Sequence, residues 1–416
     1  MKLSKHKLGE LIEVTRGASL SGQFYAEEGE LIRLTLGNFN MNGGGFKENT
    51  SKTDLYYTGT VKDEFILNKG DIITPLTEQS LGLLGTTARI PENGKYIQSQ
   101  DVALVKCKEG LLDPNFCYYL ISSSIVRQQL SAGAQQTKIR HTSPDKIKDC
   151  TVWVPEFEEQ KRIGRILTDI DEKITLNRQI NDNLEAMAKQ LYDYWFVQFD
   201  FPNEDGKPYK SSGGAMVWNE KLKREIPQGW SGVSLKDLAV TSRNAITPVE
   251  NEVYQHFSIP SFDACGSYSL DNGSDIKSDK FVLQEGQLLV SKLNPWFNRV
   301  VWVPRGTNII GSTEFVVLNP NNKSESGYIY SVIKSPKFVA YCSQAATGTS
   351  HSQRRVSPDV LMAFKVAYEP DVVQKYGCFM ENIQKRQAEL LSETATLTKQ
   401  RNEFLPLLMN GQISIQ

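Results

Sequence analysis

The feature that most constrains this chain is a repeat of its own sequence. Ser143-Pro144-Asp145 returns as Ser357-Pro358-Asp359, which gives a period of roughly 214 residues. Three further matches keep the same order in both halves: Leu8 to Leu11 with Arg16 against Leu235 to Leu238 with Arg243, 65–73 against 281–289, and 101–105 against 314–318. Four ordered matches indicate an internal duplication, with small offsets that fit loop insertions.

Each copy changes its hydrophobic period part-way along. It begins with short β-like runs bounded by Gly, Asn and Pro, such as 71–74 and 287–291, and ends in a long helical pattern. A chain of 416 residues is long enough for two or three domains. We therefore predict an α+β fold: strand-rich domains at 1–155 and 231–370, long helices at 156–198 and 371–410, and a linker at 199–230 that is rich in Gly, Pro and Ser.

The two helical patterns follow the four-three alternation of a coiled-coil seam. The seam positions are Ile163, Leu167, Ile170, Ile174, Asn177, Asn181, Leu184, Ala188, Leu191 and Trp195 in the first copy, and Val373, Tyr376, Met380, Ile383, Gln387, Leu390, Thr394, Leu397, Arg401, Phe404 and Leu408 in the second. Helices of this length would each span roughly 50–60 Å, until Pro406 disfavours further regular helix. Burial of each seam against the other is the simplest arrangement, and a helix lying on its own domain is the alternative. Polar seam positions typically fix register.

Composition restricts the function without deciding it. The formal net charge of −1 argues against nucleic-acid binding unless a basic groove is balanced by an acidic face elsewhere. Six widely spaced cysteines form no Cys-x-x-Cys pair, so we predict reduced, buried thiols rather than disulfides or zinc. No apolar run follows the basic first residues or approaches the length of a membrane span, and we expect a cytoplasmic protein.

With these features, the chain resembles the specificity subunits of type I restriction-modification systems. The resemblance rests on Trp153-Val154-Pro155 followed by Glu159-Gln160-Lys161-Arg162-Ile163, on Leu191-Tyr192-Asp193-Tyr194-Trp195-Phe196 with Phe199-Asp200, and on Ile226-Pro227-Gln228-Gly229-Trp230. It covers nearly the whole chain. The second copy departs from the pattern, because Asp371-Val372-Val373-Gln374-Lys375 replaces the Glu-Glu-Gln-Lys of the first, which puts any role of Glu159 itself in doubt.

The resemblance implies a fold, a function and a set of partners. Two target-recognition domains, held apart by an antiparallel coiled coil, would each read one half of a bipartite site in double-stranded DNA. Two methyltransferase subunits would modify adenine with S-adenosylmethionine, and restriction and translocase subunits would use ATP and Mg²⁺. The chain itself would hold no catalytic residue, cofactor or metal. The alternative is a two-headed coiled-coil scaffold that binds protein or glycan.

Two stretches imitate enzyme motifs. Asn294-Pro295-Trp296-Phe297 resembles the Asn-Pro-Pro-aromatic motif of adenine methyltransferases, but it lacks the second proline and the loop that binds the methyl donor. A DNA-facing or structural loop is the better interpretation. Asp145 with Glu159 and Lys161 imitates a metal-dependent nuclease. Ser143-Pro144, however, is typical of a helix N-cap with proline at the first helical position. No phosphate-binding loop for ATP is present.

The best candidates for DNA contact are polar segments that occupy the same places in both copies. Amide, hydroxyl and cationic side chains can reach base edges and phosphates, whereas the alternative is a solvated loop. The segments just before each Ser-Pro-Asp supply Gln135, Gln136, Lys138, Arg140 and His141, and Ser350, His351, Gln353, Arg354 and Arg355. The loops after the matching strands supply Thr74, Thr77, Glu78 and Gln79, and Ser291, Lys292, Asn294 and Asn298.

Overall fold

The computed structural model describes residues 2–41, 44–78, 82–133, 140–348 and 353–413. The chain divides into two compact units. The first contains Met1–Thr175 and Ala395–Gln416, and the second contains Leu176–Thr394. Each unit therefore holds one copy of the repeat together with a part of each long helix.

The first copy is built from short strands followed by helices. Its strands are β1 (Ser4–Lys7), β2 (Ile12–Arg16), β3 (Tyr25–Ala26), β4 (Ile32–Arg33), β5 (Tyr56–Tyr57), β6 (Ile66–Leu67), β7 (Ile72–Pro75), β8 (Thr77–Glu78), β9 (Ala88–Arg89), β10 (Tyr96–Ile97), β11 (Val102–Cys107), β12 (Arg140–His141) and β13 (Thr151–Val154). Its helices are α1 (Leu8–Leu11), α2 (Pro114–Ser122), α3 (Ser124–Gly133), α4 (Pro144–Lys148) and α5 (Phe157–Tyr192).

The second copy repeats this order. Its strands are β14 (Met216–Asn219), β15 (Arg224–Pro227), β16 (Ser231–Ser234), β17 (Ala239–Ser242), β18 (Ala245–Ile246), β19 (Val253–Phe257), β20 (Ser269–Asn272), β21 (Lys280–Val282), β22 (Leu288–Ser291), β23 (Val300–Trp302), β24 (Ile309–Gly311), β25 (Phe315–Pro320) and β26 (Lys365–Tyr368). Its helices are α6 (Leu235–Leu238), α7 (Ile259–Cys265), α8 (Ser326–Lys334), α9 (Pro336–Ala345), α10 (Pro358–Met362) and α11 (Pro370–Met409).

Corresponding strands make corresponding sheets in the two copies. A four-stranded sheet has the order β2-β11-β7-β9 in the first copy and β17-β25-β22-β23 in the second. Each copy adds a five-stranded sheet, β3-β5-β4-β10-β6 or β18-β21-β24-β19-β20, and an antiparallel pair, β1 with β13 or β16 with β26. The predicted α+β fold with two strand-rich copies is confirmed.

One inner strand of each four-stranded sheet, β11 or β25, is buried on both faces. In β11, Ala103 and Val105 belong to the core that includes the helices, whereas Leu104 belongs to the core beside the five-stranded sheet. The same division holds in β25, where Val316 packs on the helical side and Val317 on the other. Because strand side chains alternate between faces, one continuous apolar run serves two cores.

The two short helices α4 and α10 begin as the sequence predicts. The Ser143 side chain accepts a hydrogen bond from the backbone nitrogen of Lys146, and Ser357 accepts one from Val360, with proline at the first helical position in each. Asp145 forms an ion pair of 2.7 Å with Lys148 in this helix. The N-cap interpretation is confirmed, and each candidate DNA-contact segment therefore ends at a fixed helix start.

The long helices pair in antiparallel fashion within each unit. In the first unit Asp171 of α5 accepts a 2.8 Å hydrogen bond from Arg401 of α11, and Leu408 shares a core with Ile163. Residue numbers therefore fall along one helix as they rise along the other. In the second unit Asn177 donates to Glu393 at 2.8 Å. The predicted seam is confirmed, and polar contacts cross it at several levels.

The alternative interpretation of the seam also describes part of the structure. Ile163 and Leu167, at the start of α5, share a core with Phe116 of the first domain. At the start of α11, Val373 and Tyr376 do the same in the second domain. Each long helix therefore begins on its own domain and continues against its partner helix.

The helix predicted at 371–410 is observed as Pro370–Met409, and one seam position within it is wrong. Helix α11 continues through Pro406, because Leu408 and Met409 are buried in the core of the first unit. Burial of each such side chain stabilises by about 1.5–3 kcal/mol, enough to offset a proline in a helix, which costs about 3 kcal/mol. Phe404 is exposed instead of buried, and Leu405 packs on the core in its place.

The predicted linker at 199–230 is also a correction, because it is folded. Strands β14 and β15 form a hairpin, and Phe199, Phe201, Ile226 and Trp230 are buried in the core of the second unit. Residues 201–214 are rich in glycine, proline and serine. The aromatic side chains on either side of that stretch nevertheless bury enough apolar surface to hold the segment against the core of the second unit.

The thiols differ from the prediction in one respect. All six cysteines are free, as expected, but Cys265 and Cys378 are exposed instead of buried. Burial raises the pKa of the Cys342 thiol to about 12. None of the helices in the described ranges is long and apolar enough to cross a membrane.

Candidate DNA interface

In the first domain, the two candidate segments lie side by side. Strand β8, after the central sheet, pairs with β12, so that Glu78 faces Arg140 and Thr77 faces His141. The backbone nitrogen of Thr142 donates to the carbonyl of Leu76 at 2.8 Å. We call residues 74–78 with 140–142 the first junction.

A buried ion pair organises the first junction. Glu78 is only 2% exposed, and its Oε1 lies 3.2 Å from Nη1 of the half-buried Arg140. Its Oε2 accepts hydrogen bonds from the backbone nitrogens of Gly82, Leu83 and Leu84, at 2.9–3.1 Å. The interpretation of Glu78 as a DNA contact is wrong, because its carboxylate is used in holding the loop and the arginine in place.

The second domain joins the equivalent segments with the same geometry. The backbone nitrogen of Asn294 donates to the carbonyl of Arg354 at 2.8 Å, and that of Val356 donates to Lys292 at 3.1 Å. Oδ1 of Asn294 accepts from the backbone nitrogen of Arg354 at 3.0 Å. We call residues 290–298 with 353–356 the second junction. Asn294 occupies the position equivalent to Glu78 of the first junction. The carbonyl of Lys292 accepts from the backbone nitrogen of Val356, just as the carbonyl of Leu76 accepts from that of Thr142.

Charge is arranged differently in the second junction. Arg355 donates two hydrogen bonds of 3.0 Å to the carboxylate of Glu314, and these bonds and the carboxylate charge raise the pKa of Arg355. The arginine side chain remains 45% exposed. A cleft of about 420 Å³ beside it is lined by Arg243, Lys292 and Glu314, together with serine and threonine hydroxyls. The exposed cationic groups here suit phosphate oxygens or base acceptors.

Several predicted contact residues are not on the surface. Thr74, Thr77, Ser291 and Asn294 are buried, and we correct their assignment to structural roles. Thr74 lies on the central sheet with its neighbours packed on both faces, and the Ser291 hydroxyl bonds within its own turn, to Leu293. Polar side chains at the end of a strand usually face solvent, but here they are buried because both faces of these strands are covered.

The remaining candidates are accessible or lie outside the described residues. The exposed ones are His141, Gln353 and Arg355, and the partly buried ones are Arg140, Lys292, Asn298 and Arg354. Asn298 donates from Nδ2 to the carbonyl of Lys334 at 3.0 Å. Gln79, Gln135, Gln136, Lys138, Ser350 and His351 lie outside the described residues.

The stretch that imitates a methyltransferase motif is a rigid turn of the second junction. Asn294 and Asn298 both adopt left-handed backbone conformations, with φ of 48° and 50°, and flank a single 3₁₀ turn over Pro295–Phe297. The Asn294 amide oxygen accepts a hydrogen bond from the Arg354 backbone nitrogen, which supports a structural role for Asn294. No local pattern indicates that the neighbouring Trp296 and Phe297 are exposed.

Comparison with known proteins supports the resemblance to type I specificity subunits. Residues 2–186 match the family model of the type I restriction modification DNA specificity domain. A DNA specificity domain is therefore present, and the chain is similar to named type I specificity subunits. These findings do not support the alternative of a scaffold for protein or glycan.

The named relatives match the chain to different extents. It is 22% identical, over 74% of this chain and 71% of the other, to the type I restriction enzyme MjaIX specificity subunit of Methanocaldococcus jannaschii. It is 30% identical to the HindI specificity subunit of Haemophilus influenzae, over 26% of this chain and 27% of the other. The crystal structure of a type I S subunit from M. genitalium superposes with a TM-score of 0.60 at 15% identity, covering 98% and 96% of the two chains. That likeness supports the fold.

Proposed function

We propose that each domain of this specificity subunit reads one half of a bipartite site in double-stranded DNA through its junction. The observation that carries the proposal is the repetition of the junction. In both copies, the segment before the Ser-Pro helix start is hydrogen-bonded at the same register to the segment that follows β7 or β22. The framework is the same, whereas the side chains that it presents differ. This is the arrangement that reading of two unlike half-sites requires.

The net charge of the chain does not oppose this function. Arg140 and Arg355 each pair with a carboxylate, Glu78 and Glu314, which orients the guanidinium groups. Acidic residues at the junctions thus count toward the formal charge of −1 while serving to hold cations in place. The Arg355–Glu314 pair is bidentate, and a charge-assisted pair of this kind fixes geometry as well as charge.

We further propose the partners and cofactors of the assembly. The chain would position two adenine methyltransferase subunits, which bind S-adenosylmethionine, and restriction and translocase subunits, which use ATP and Mg²⁺. It would bind none of these cofactors itself. Such a complex acts on the DNA of the cell, and we place it in the cytoplasm. The paired helices offer exposed faces along both partners, as at Leu176 and Met187 of α5, on which subunits could dock.

Replacing Arg354 and Arg355 with alanine is expected to weaken binding at one half-site only. Loss of an arginine that contacts a base or phosphate costs about 1–3 kcal/mol, and loss of a phosphate contact lowers the slope of log K against log salt by about one. In Arg355→Ala, the carboxylate of Glu314 also loses its partner and faces the DNA, so this single variant is expected to lose more than Arg354→Ala. The measurement is equilibrium binding of the assembled complex to duplexes in which one half-site at a time is scrambled.

Arg386→Ala is the matched control. Arg386 is an exposed arginine of the same unit, paired with Glu389 at 3.2 Å on α11, and lies outside the junction. It is expected to bind like the wild type at both half-sites. Equal loss at both half-sites in the junction variants, or no loss at either, would contradict the assignment of the second junction to one half-site.

A further inference from the structure

We propose that Trp296 and Phe297 form an aromatic finger, residues 294–298 of the second domain, that makes apolar contact with the bases of its half-site. This inference rests on the proposed function, because it takes the second junction as DNA-facing. It adds a class of contact that the charged candidates do not supply. The two rings would pack on base faces or edges at a step of the duplex that opens around them.

The finger is exposed. Trp296 and Phe297 keep 40% and 57% of their surface accessible, and their ring centroids lie 6.1 Å apart at 47°. Single exposed apolar side chains are common on protein surfaces, but two adjacent aromatic residues at the tip of one turn form a continuous apolar projection. A projection of this kind is suited to a partner with flat apolar faces.

The finger is also held rigidly. Asn294 is bonded to Arg354 at its N-terminal end, and Asn298 to the Lys334 carbonyl at the other. Beneath the finger, the guanidinium of the buried Arg299 lies 4.5 Å from the centre of the Phe297 ring and donates two hydrogen bonds to Asp263, at 2.6 and 2.8 Å. Rigid aromatic groups lose little conformational entropy on binding.

Continuity with the cationic junction points to DNA as the occupant. Lys292 lies between the end of β22 and the finger, and Arg354 is hydrogen-bonded to the first residue of the finger. Apolar wedges flanked by cationic donors are a recurring way in which proteins unstack a base step while neutralising the adjacent phosphates. Aromatic rings also stack on bases in single strands. A surface for another protein would not need the cations so close.

The finger belongs to one domain only. In the first junction, Glu78 occupies the position equivalent to Asn294. The three residues that follow it, Gln79-Ser80-Leu81, include no aromatic residue. If the finger contacts bases, its contribution is restricted to the half-site of the second domain. This asymmetry makes the inference testable.

The test compares the wild-type complex with a double variant that carries both Trp296→Ala and Phe297→Ala. The target of the complex is first identified as the methylated sequence in cells that carry the complete system. We expect the double variant to bind the identified duplex about 10- to 100-fold more weakly than the wild type does. Scrambling the second half-site should not weaken its binding further. On that scrambled duplex, the double variant and the wild type should bind equally. The slope of log K against log salt should stay the same, because apolar contacts release no counterions. That slope separates the finger from the arginines. Trp296→Phe should retain most of the affinity.

Trp218→Ala is the matched control, because Trp218 is 58% exposed on the β14–β15 hairpin of the same unit; it should bind like the wild type. Normal thermal unfolding of each variant excludes misfolding. Wild-type affinity in the double variant, equal loss on cognate and scrambled DNA, or loss of methyltransferase assembly with DNA discrimination intact would each overturn the inference. If the wild type itself fails to discriminate the identified site from scrambled DNA, the proposed function is what fails.

Discussion

Replacing Glu78 with alanine is expected to lower the free energy of unfolding of the first unit by about 3–5 kcal/mol. The substitution leaves the half-buried Arg140 without its carboxylate, and removal of one partner from a buried ion pair costs that much. It also deprives three backbone N–H groups, of Gly82, Leu83 and Leu84, of their acceptor. Denaturant unfolding, followed by hydrogen exchange in the first unit, measures the loss.

The same variant should lose discrimination at one half-site. Because Glu78 holds β8, β12 and the following loop together, its removal should abolish reading by the first junction and leave the second intact. Glu78→Gln, which keeps the shape but not the charge, should give an intermediate loss. Glu64→Ala is the matched control, since Glu64 pairs with Lys62 on the surface at 3.6 Å, and such exposed pairs contribute at most about 1 kcal/mol. A loss in Glu78→Ala no larger than in this control would contradict the structural role of the carboxylate.

Replacing Gly377 with alanine is expected to destabilise the second unit by about 3 kcal/mol or more. A Cβ atom at this position of α11 would overlap the carbonyl oxygen of Ser324, which is part of the backbone and cannot rotate away. Gly327 of α8 makes a comparably close approach to Met380. The two helices therefore touch through glycines. Denaturant unfolding of the variant measures the cost.

The first copy has a matching glycine. A Cβ on Gly164 of α5 would lie 2.6 Å from the backbone nitrogen of Phe116 and 2.8 Å from the Asp113 carboxylate. Gly164→Ala should therefore destabilise the first unit in the same way. Gly133→Ala at the end of α3, where nothing lies within 4 Å of a Cβ, should be neutral or stabilising by up to about 1 kcal/mol. Similar effects in all three variants would show that the close approach is not what requires glycine.

The sequence predicted the parts of the fold that leave a periodic or repeated trace. The duplication, the long seams and the Ser-Pro helix starts were all recognisable, because each depends on residues that are close in sequence or spaced regularly. The seam position at Phe404 was wrong, since packing of Leu405 on the core in its place depends on contacts with residues far away in the sequence.

The candidate interface was predicted only in part. Both segments of each junction were identified, but nothing local shows that residues about 60 positions apart would pair at one register. Burial of Thr74 and Ser291 could not be read from strands whose two faces are both covered. The exposure of Trp296 and Phe297 was missed for the opposite reason, since aromatic residues after a buried strand are usually part of the core.

Maps of methylated adenine in cells that carry the complete system reveal the sequence that the complex recognises. We expect one bipartite motif with two unlike halves and a non-specific spacer, which disappears when this chain is deleted. With Arg354→Ala, only one half of the motif should change. A contiguous motif, a motif that persists without the chain, or a change in both halves from this one substitution would contradict the claim that each domain reads its own half-site.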